Sequence, residues 1–182
     1  YVSNSGAILD LREYDLDLVR CGIILYGLSP SDEVSFSDYN LSSAMSLKTR
    51  ISYLKELDAG VSVGYGRTYF TKSKTKVATI PVGYADGYLR SMSNKGRVLV
   101  SGEFAPVIGN ICMDQFMVDV TNRDNVNAAD EVVLFGKQGN NQITIDEVAK
   151  IQDTINYEVV CNIGKRVPRV YMKNNTLVKT VN

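Results

Sequence analysis

"RVLVSGEFAPVIG", residues 97–109, decides the class of fold. Val98, Leu99 and Val100 run into a Ser-Gly pair, and Phe104, Ala105, Val107 and Ile108 run out of it. Two β-rich runs joined by a two-residue turn that contains glycine predict an antiparallel hairpin. The same texture extends to either side. "KVATIPVGY" (76–84), "QFMVDVT" (115–121) and "DEVVLFG" (130–136) read as strands, and "RVYMKNNTLVKTV" (169–181) predicts a second hairpin about an Asn-Asn turn. In "AMSLKTRISYLKEL" (44–57), Met45, Leu47, Thr49, Ile51 and Tyr53 fall on one face at period two, a strand pattern. One helix is expected within the series, where Thr144 and Glu147 form a capping-box pattern ahead of "EVAKIQDTI".

Before Leu41 the texture differs. "SGAILDL" (5–11) is helix-like, and "DLDLVRCGIILYGL" (15–28) has strand and turn character. "SPSDEVSFSDYN" (29–40) is a polar connection. The expected organisation is an α/β segment over 1–40 and a mostly antiparallel β domain over 41–182.

Composition narrows the function classes. Hydrophobic residues make up 45% of the 182, enough for a real core. Twenty basic and twenty acidic side chains balance, with no long basic run, which argues against nucleic acid as a partner. The chain has no histidine, so Ser-His and Cys-His couples and histidine-rich metal sites are excluded from these residues. Cys21, Cys112 and Cys161 are far apart and lack CxxC spacing, which fits reduced thiols in a cytoplasmic protein. The longest apolar run, "GIILYGL" at 22–28, is too short to span a bilayer. The chain opens on "YVSNSG" without a methionine, so a fragment of a longer protein is expected.

Five short stretches carry candidate chemistry. "NSG" at 4–6 with "VRCGI" at 19–23 sets small residues at element ends, where backbone N–H groups hold phosphates; ordinary turns have the same composition. "VSVGYGRTYF" at 61–70 sets Tyr65 between two glycines, and "IPVGYADGYLR" at 80–90 holds Tyr84, Asp86 and Arg90 in a Gly-x-x-x-Gly frame. "GNICMDQFMVDV" at 109–120 places Asp114 between apolar runs, as a partly buried carboxylate. "TINYEVVCNIGKRVPRVY" at 154–171 sets Tyr157 just past the helix, and its "KRVPR" reads as a solvated basic turn.

Together "NSG…VRCGI…YG", "VGYGRTY", "IPVGYADG", "GNICMDQ" and "INYEV…RVPR" resemble, in order and spacing, the C-terminal portion of the bacterial alanine racemases. The resemblance implies a mainly β fold: a β domain of alanine racemase type after the last α/β segment of a (β/α)₈ barrel. It implies pyridoxal 5′-phosphate as cofactor, no metal, and a homodimer whose active site is shared across the interface. Tyr65 resembles the family's catalytic tyrosine, which reaches into the partner's barrel. Arg20 resembles the donor to the cofactor's pyridine nitrogen. Ser5, Gly22, Ile23 and Tyr157 match the phosphate-holding positions. Met113, with Asp114 behind it, and Tyr84 match positions that bind substrate. Arg90, Asn110 and Ile155 match the entryway, with Asn110 standing where the family often has arginine.

The family's Schiff-base lysine lies in a segment absent from this sequence, which implies that these 182 residues alone are inactive. The activity implied is interconversion of L- and D-alanine by two bases, for peptidoglycan. One alternative is a serine/alanine racemase of vancomycin-resistance systems, whose parent adds a membrane domain. Another is a non-catalytic dimerisation module.

Overall fold

The computed structural model describes residues 2–34 and 39–182, so part of the polar connection expected over 29–40 lies outside the described residues. The chain forms two compact units, 1–46 and 47–182.

In the smaller unit, helix α1 (Ser5–Asp10) is capped by Asn4, whose side chain accepts from the Ala7 N–H at 3.1 Å. The strand character expected over 15–28 does not appear. The chain there makes turns and a 3-10 turn, Ile23–Tyr26, closed by Gly27 in the left-handed region at φ 69°. Among the described residues of this unit no strand stands beside it to ladder with, and the Leu25 and Gly27 N–H groups donate instead to the Gly22 and Ile24 carbonyls at 3.0 Å.

The larger unit is built from β1 (Leu47–Arg50), β2 (Tyr53–Leu57), β3 (Thr75–Ile80), β4 (Arg97–Val100), β5 (Glu103–Ile108), β6 (Phe116–Asp119), β7 (Glu131–Gln138) and β8 (Asn141–Ile143). Helices α2 (Ile145–Gln152) and α3 (Asn156–Cys161) follow, then the hairpin β9 (Arg169–Lys173) and β10 (Thr176–Val181). The sheet runs β1-β7-β4-β5-β6-β3-β2, with β8 added to β7, and every pairing in it is antiparallel.

The two ends of that path are consecutive in the chain. The single strand expected over 44–57 breaks at Ile51–Ser52; β1 joins β7 and β2 joins β3, so one stretch of chain supplies both ends of the sheet. The break also swaps faces: Leu47 and Ile51 are buried, whereas Tyr53 points out. The Ser-Gly hairpin forms as expected, with Ser101 at φ 53° and Gly102 at φ 81°, the two left-handed residues of a primed turn. Asn174 and Asn175 do the same for β9 and β10.

Val98, Leu99, Val100, Phe116, Val118 and Leu134 are among the core residues with no exposed surface. Helix α2 lays Ile145, Val148, Ala149 and Gln152 inward, at helical spacing. Half of its capping box forms. The Thr144 hydroxyl accepts from the Glu147 N–H at 3.0 Å, but the Glu147 carboxylate turns to Arg97, which donates to it through Nε and Nη2 at 2.7 and 3.0 Å. No helix among the described residues is long and apolar enough to cross a membrane.

Candidate active site

Tyr65 opens a 3-10 turn, Tyr65–Arg67, within the long connection from β2 to β3. That connection doubles back as a narrow loop, closed by a bridge between Ser62 and Phe70 and by the Val63 N–H donating to the Tyr69 carbonyl. Gly64 at φ 73° and Gly66 at φ 76° flank the tyrosine in a region that side chains disfavour, which is why glycine stands on both sides. The result is a sharp tip that leaves Tyr65 78% exposed.

The loop 109–115, between β5 and β6, meets this tip. Asn110 is buried, and its Nδ2 donates to the Tyr65 carbonyl at 2.8 Å. Further along, the Cys112 and Met113 carbonyls accept from the N–H groups of Tyr84 and Ala85 at 3.1 and 2.9 Å. Tyr84 begins a 3-10 turn, Tyr84–Asp86, and Arg90 a second, Arg90–Met92. The Ser93 hydroxyl ties that second turn to the same loop, donating to the Arg90 carbonyl at 2.5 Å and accepting from the Ile111 N–H at 3.0 Å. One seven-residue loop thus gathers Tyr65, Tyr84, Arg90, Asn110, Met113 and Asp114.

Three expectations need correction. Asp114 is exposed, because 113–115 turn outward between β5 and β6 with the Cys112 N–H donating to the Gln115 carbonyl. The buried carboxylate is Asp86, 8% exposed. It accepts from the Gly83 N–H at 2.9 Å and from Arg166 Nε at 2.7 Å. "KRVPR" is therefore only partly a solvated turn. Asp86, by hydrogen bond and charge, pushes the Arg166 guanidinium above its ordinary pKa, with a smaller contribution from Asp114. The Gly164 N–H donates to the Asp86 carbonyl at 3.0 Å, so the 84–86 turn is held from both sides. Tyr157 also differs from expectation: it lies inside a second helix, α3, half-buried, with Ile155 exposed at the N-cap.

Asp86→Ala removes both side-chain bonds of a buried carboxylate, and a loss of about 1–3 kcal/mol is expected. Calorimetry should show the melting temperature fall by several degrees; an unchanged melt would remove Asp86 from this role.

In the smaller unit, Ser5 is buried at the start of α1 and its Oγ accepts from the Gly22 N–H at 3.0 Å. The Ile23 N–H, opening its turn, donates to no group among the described residues. A hydroxyl with adjacent N–H groups at element starts is a donor set that suits a phosphate, so these residues fit the group. Arg20 donates from Nη2 to the Val2 carbonyl at 3.0 Å, and its N–H to the Ser3 carbonyl at 2.8 Å, which ties its segment to that of Ser5.

The profile of "Alanine racemase, C-terminal domain" matches residues 44–171. The chain belongs to the alanine racemase family. Alanine racemase of Clostridium perfringens is 52% identical over all 182 residues, which cover 47% of that protein. That of Halothermothrix orenii is 53% identical over 169 residues, 93% of this chain and 44% of its own length. Among solved structures, alanine racemase of Clostridium difficile in complex with cycloserine superposes with a TM-score of 0.92 at 47% identity, over 100% of this chain and 47% of that one. The Bacillus anthracis alanine racemase with bound L-Ala-P does so at 0.94 and 39% identity, over 99% of this chain and 46% of the other. The chain thus spans about half the length of the alanine racemases it matches.

Within this alanine racemase domain, sequence reasoning missed Asp86–Arg166 as a pair and Asn94 altogether. Asp86 and Arg166 stand 80 residues apart, and nothing local in "YADG" or "KRVPR" links them.

Proposed function

We propose that this chain is the C-terminal part of a pyridoxal-phosphate-dependent racemase that interconverts L- and D-alanine, in a homodimer whose subunits share each active site. The observation that carries the reading is Tyr65, held outward on a turn braced by the 109–115 loop, in a chain 52% identical throughout its length to an alanine racemase. A phenol exposed to this degree has its hydroxyl free to act on something outside its own chain. Met113 supports the same reading: it is 57% exposed and its N–H donates to no group among the described residues.

Each residue has a role that its chemistry allows. The Tyr65 hydroxyl takes a proton from the substrate α-carbon in one direction and returns it in the other. The Met113 N–H, with Asp114 behind it and Tyr84 beside it, orients the substrate carboxylate. Ser5 Oγ, the Gly22 and Ile23 N–H groups and the Tyr157 hydroxyl would hold the cofactor phosphate. Arg20, which does not readily give up a proton, would donate to the pyridine nitrogen. When bound, the cofactor supplies an electron sink for the α-carbanion. The second base is a lysine that these 182 residues do not include, so by themselves they do not racemise. Arg90, Asn110 and Ile155 belong to the approach to the site. The product serves peptidoglycan synthesis in the cytoplasm.

Proton NMR in D₂O tests this with the full-length protein, pyridoxal phosphate, and L-alanine or L-serine. Exchange of the α-proton with inversion on alanine is expected. A preference for serine would move the assignment to the resistance-type enzymes, and no exchange on either would leave a dimerisation module. Exchange by the 182-residue chain alone would overturn the requirement for the missing lysine.

A further inference from the structure

Nothing among the described residues holds the Tyr65 side chain: its hydroxyl makes no hydrogen bond there and the ring is mostly exposed. Its position is therefore set by its backbone, and that backbone sits between two glycines, the most permissive neighbours available. Arg67 adds a third left-handed residue, at φ 49°. A turn of this kind keeps one conformation only if something outside it does the holding.

Two asparagines do. Asn110 Nδ2 donates to the Tyr65 carbonyl at 2.8 Å from a 9% exposed position. A Cβ on Gly66 would lie 3.1 Å from that same nitrogen, and one on Gly64 3.6 Å from the Asn110 N–H nitrogen, so the amide is seated against both glycines. Asn94 stands behind it. Its Oδ1 accepts from the Gly109 N–H at 2.7 Å, and its Nδ2 donates to Thr68 Oγ1, at the far end of the turn, at 3.0 Å. Asn94 is itself left-handed at φ 56°, a conformation asparagine tolerates better than most residues. A backbone carbonyl and a backbone N–H leave no choice in how the two amides are oriented.

We infer that Asn110, braced by Asn94, is a positioning residue that fixes the backbone of the Tyr65 turn and so aims the phenol at the substrate α-carbon. This rests on Tyr65 acting as an acid/base, and it gives Asn110 a task other than lining the approach. Displacement of a reacting group by about 1 Å can cost on the order of a hundredfold, so loss of the amide should slow proton transfer at Tyr65 and leave the second base untouched.

The test uses full-length protein with pyridoxal phosphate and α-deuterated L- and D-alanine. Asn110→Asp keeps the shape and removes the donor; Asn94→Asp keeps the acceptor for Gly109 and removes the donor to Thr68. For Asn110→Asp, kcat/KM should fall about tenfold or more. The two directions must fall together, because the overall equilibrium is unchanged. The isotope effects, however, should diverge: larger for the enantiomer whose proton Tyr65 removes, smaller for the other. A purely structural defect lowers the active fraction and leaves both isotope effects at their wild-type values, and that result would overturn the inference. So would a wild-type rate. If Asn110→Asp does not fold, the divergence must appear in Asn94→Asp or the inference fails. A wild type that racemises nothing, or a Tyr65→Phe variant at full rate, would instead overturn the reading on which this one rests.

Discussion

Tyr65→Phe in the full-length protein should lower kcat by roughly 10²–10⁴-fold, the contribution typical of one positioned acid or base, while pyridoxal phosphate stays bound. The substitution removes one oxygen and little else. The ring stands largely clear of its own chain, so no packing is lost, and Asn110 bonds to the backbone carbonyl at position 65, which phenylalanine keeps. The glycines that shape the turn are also unchanged. Rate and fold are thus separable at this position. Racemisation followed by polarimetry, with absorbance reporting bound cofactor, checks both halves. A variant within a few-fold of wild type would take the acid/base role from Tyr65; one that has lost its cofactor would mean the residue is structural.

Gly83→Ala should be among the most damaging small substitutions in the domain, costing roughly 3–5 kcal/mol in stability. A Cβ there would lie 2.3 Å from the Cys112 carbonyl oxygen and 2.5 Å from both the carbon and the oxygen of the Met113 carbonyl. These are backbone atoms of the loop that carries the site, so no side chain can rotate aside to make room. The loops must part, and the bonds from the Tyr84 and Ala85 N–H groups to the Cys112 and Met113 carbonyls are lost with that movement. The Asp86 carboxylate, which accepts from the Gly83 N–H, is disturbed as well. Calorimetry should show a melting temperature lower by about ten degrees, scaled from the free energy for a domain of this size. KM for alanine should also rise, because Met113 moves. A normal melt would mean the loops are not packed this closely.

Much of the β domain was legible in the sequence. Ser101-Gly102 and Asn174-Asn175 announce their hairpins because a two-residue turn demands residues that accept left-handed backbone, and that demand is local. Thr144 marked a helix start through an equally local demand, its hydroxyl accepting from the Glu147 N–H three residues on. The break at Ile51–Ser52 was not legible: a period-two pattern continues across it, and only the partners of β1 and β2, β7 and β3, show that one run serves both ends of the sheet. The apolar run over 15–28 misled because hydrophobicity without a neighbouring strand does not specify extension: of its apolar residues only Ile23 and Leu28 are buried, and the chain turns.

The candidate site divides along the same line. Tyr65 between its glycines, Tyr84, Met113 and the Ser5 and Gly22 segments stood out as local motifs, and their order along the chain pointed to one family. Sequence by itself determined which residues have the chemistry and which conformations their glycines permit, since both depend on a few adjacent residues. Tertiary structure alone decided that Asp86 and not Asp114 is the buried carboxylate, that Arg166 answers it from 80 residues away, and that Asn110 and Asn94 hold the turn beneath Tyr65. The physical reason is that burial and hydrogen-bond partnership belong to pairs of groups brought together by the folded domain, and no single stretch of chain contains both members.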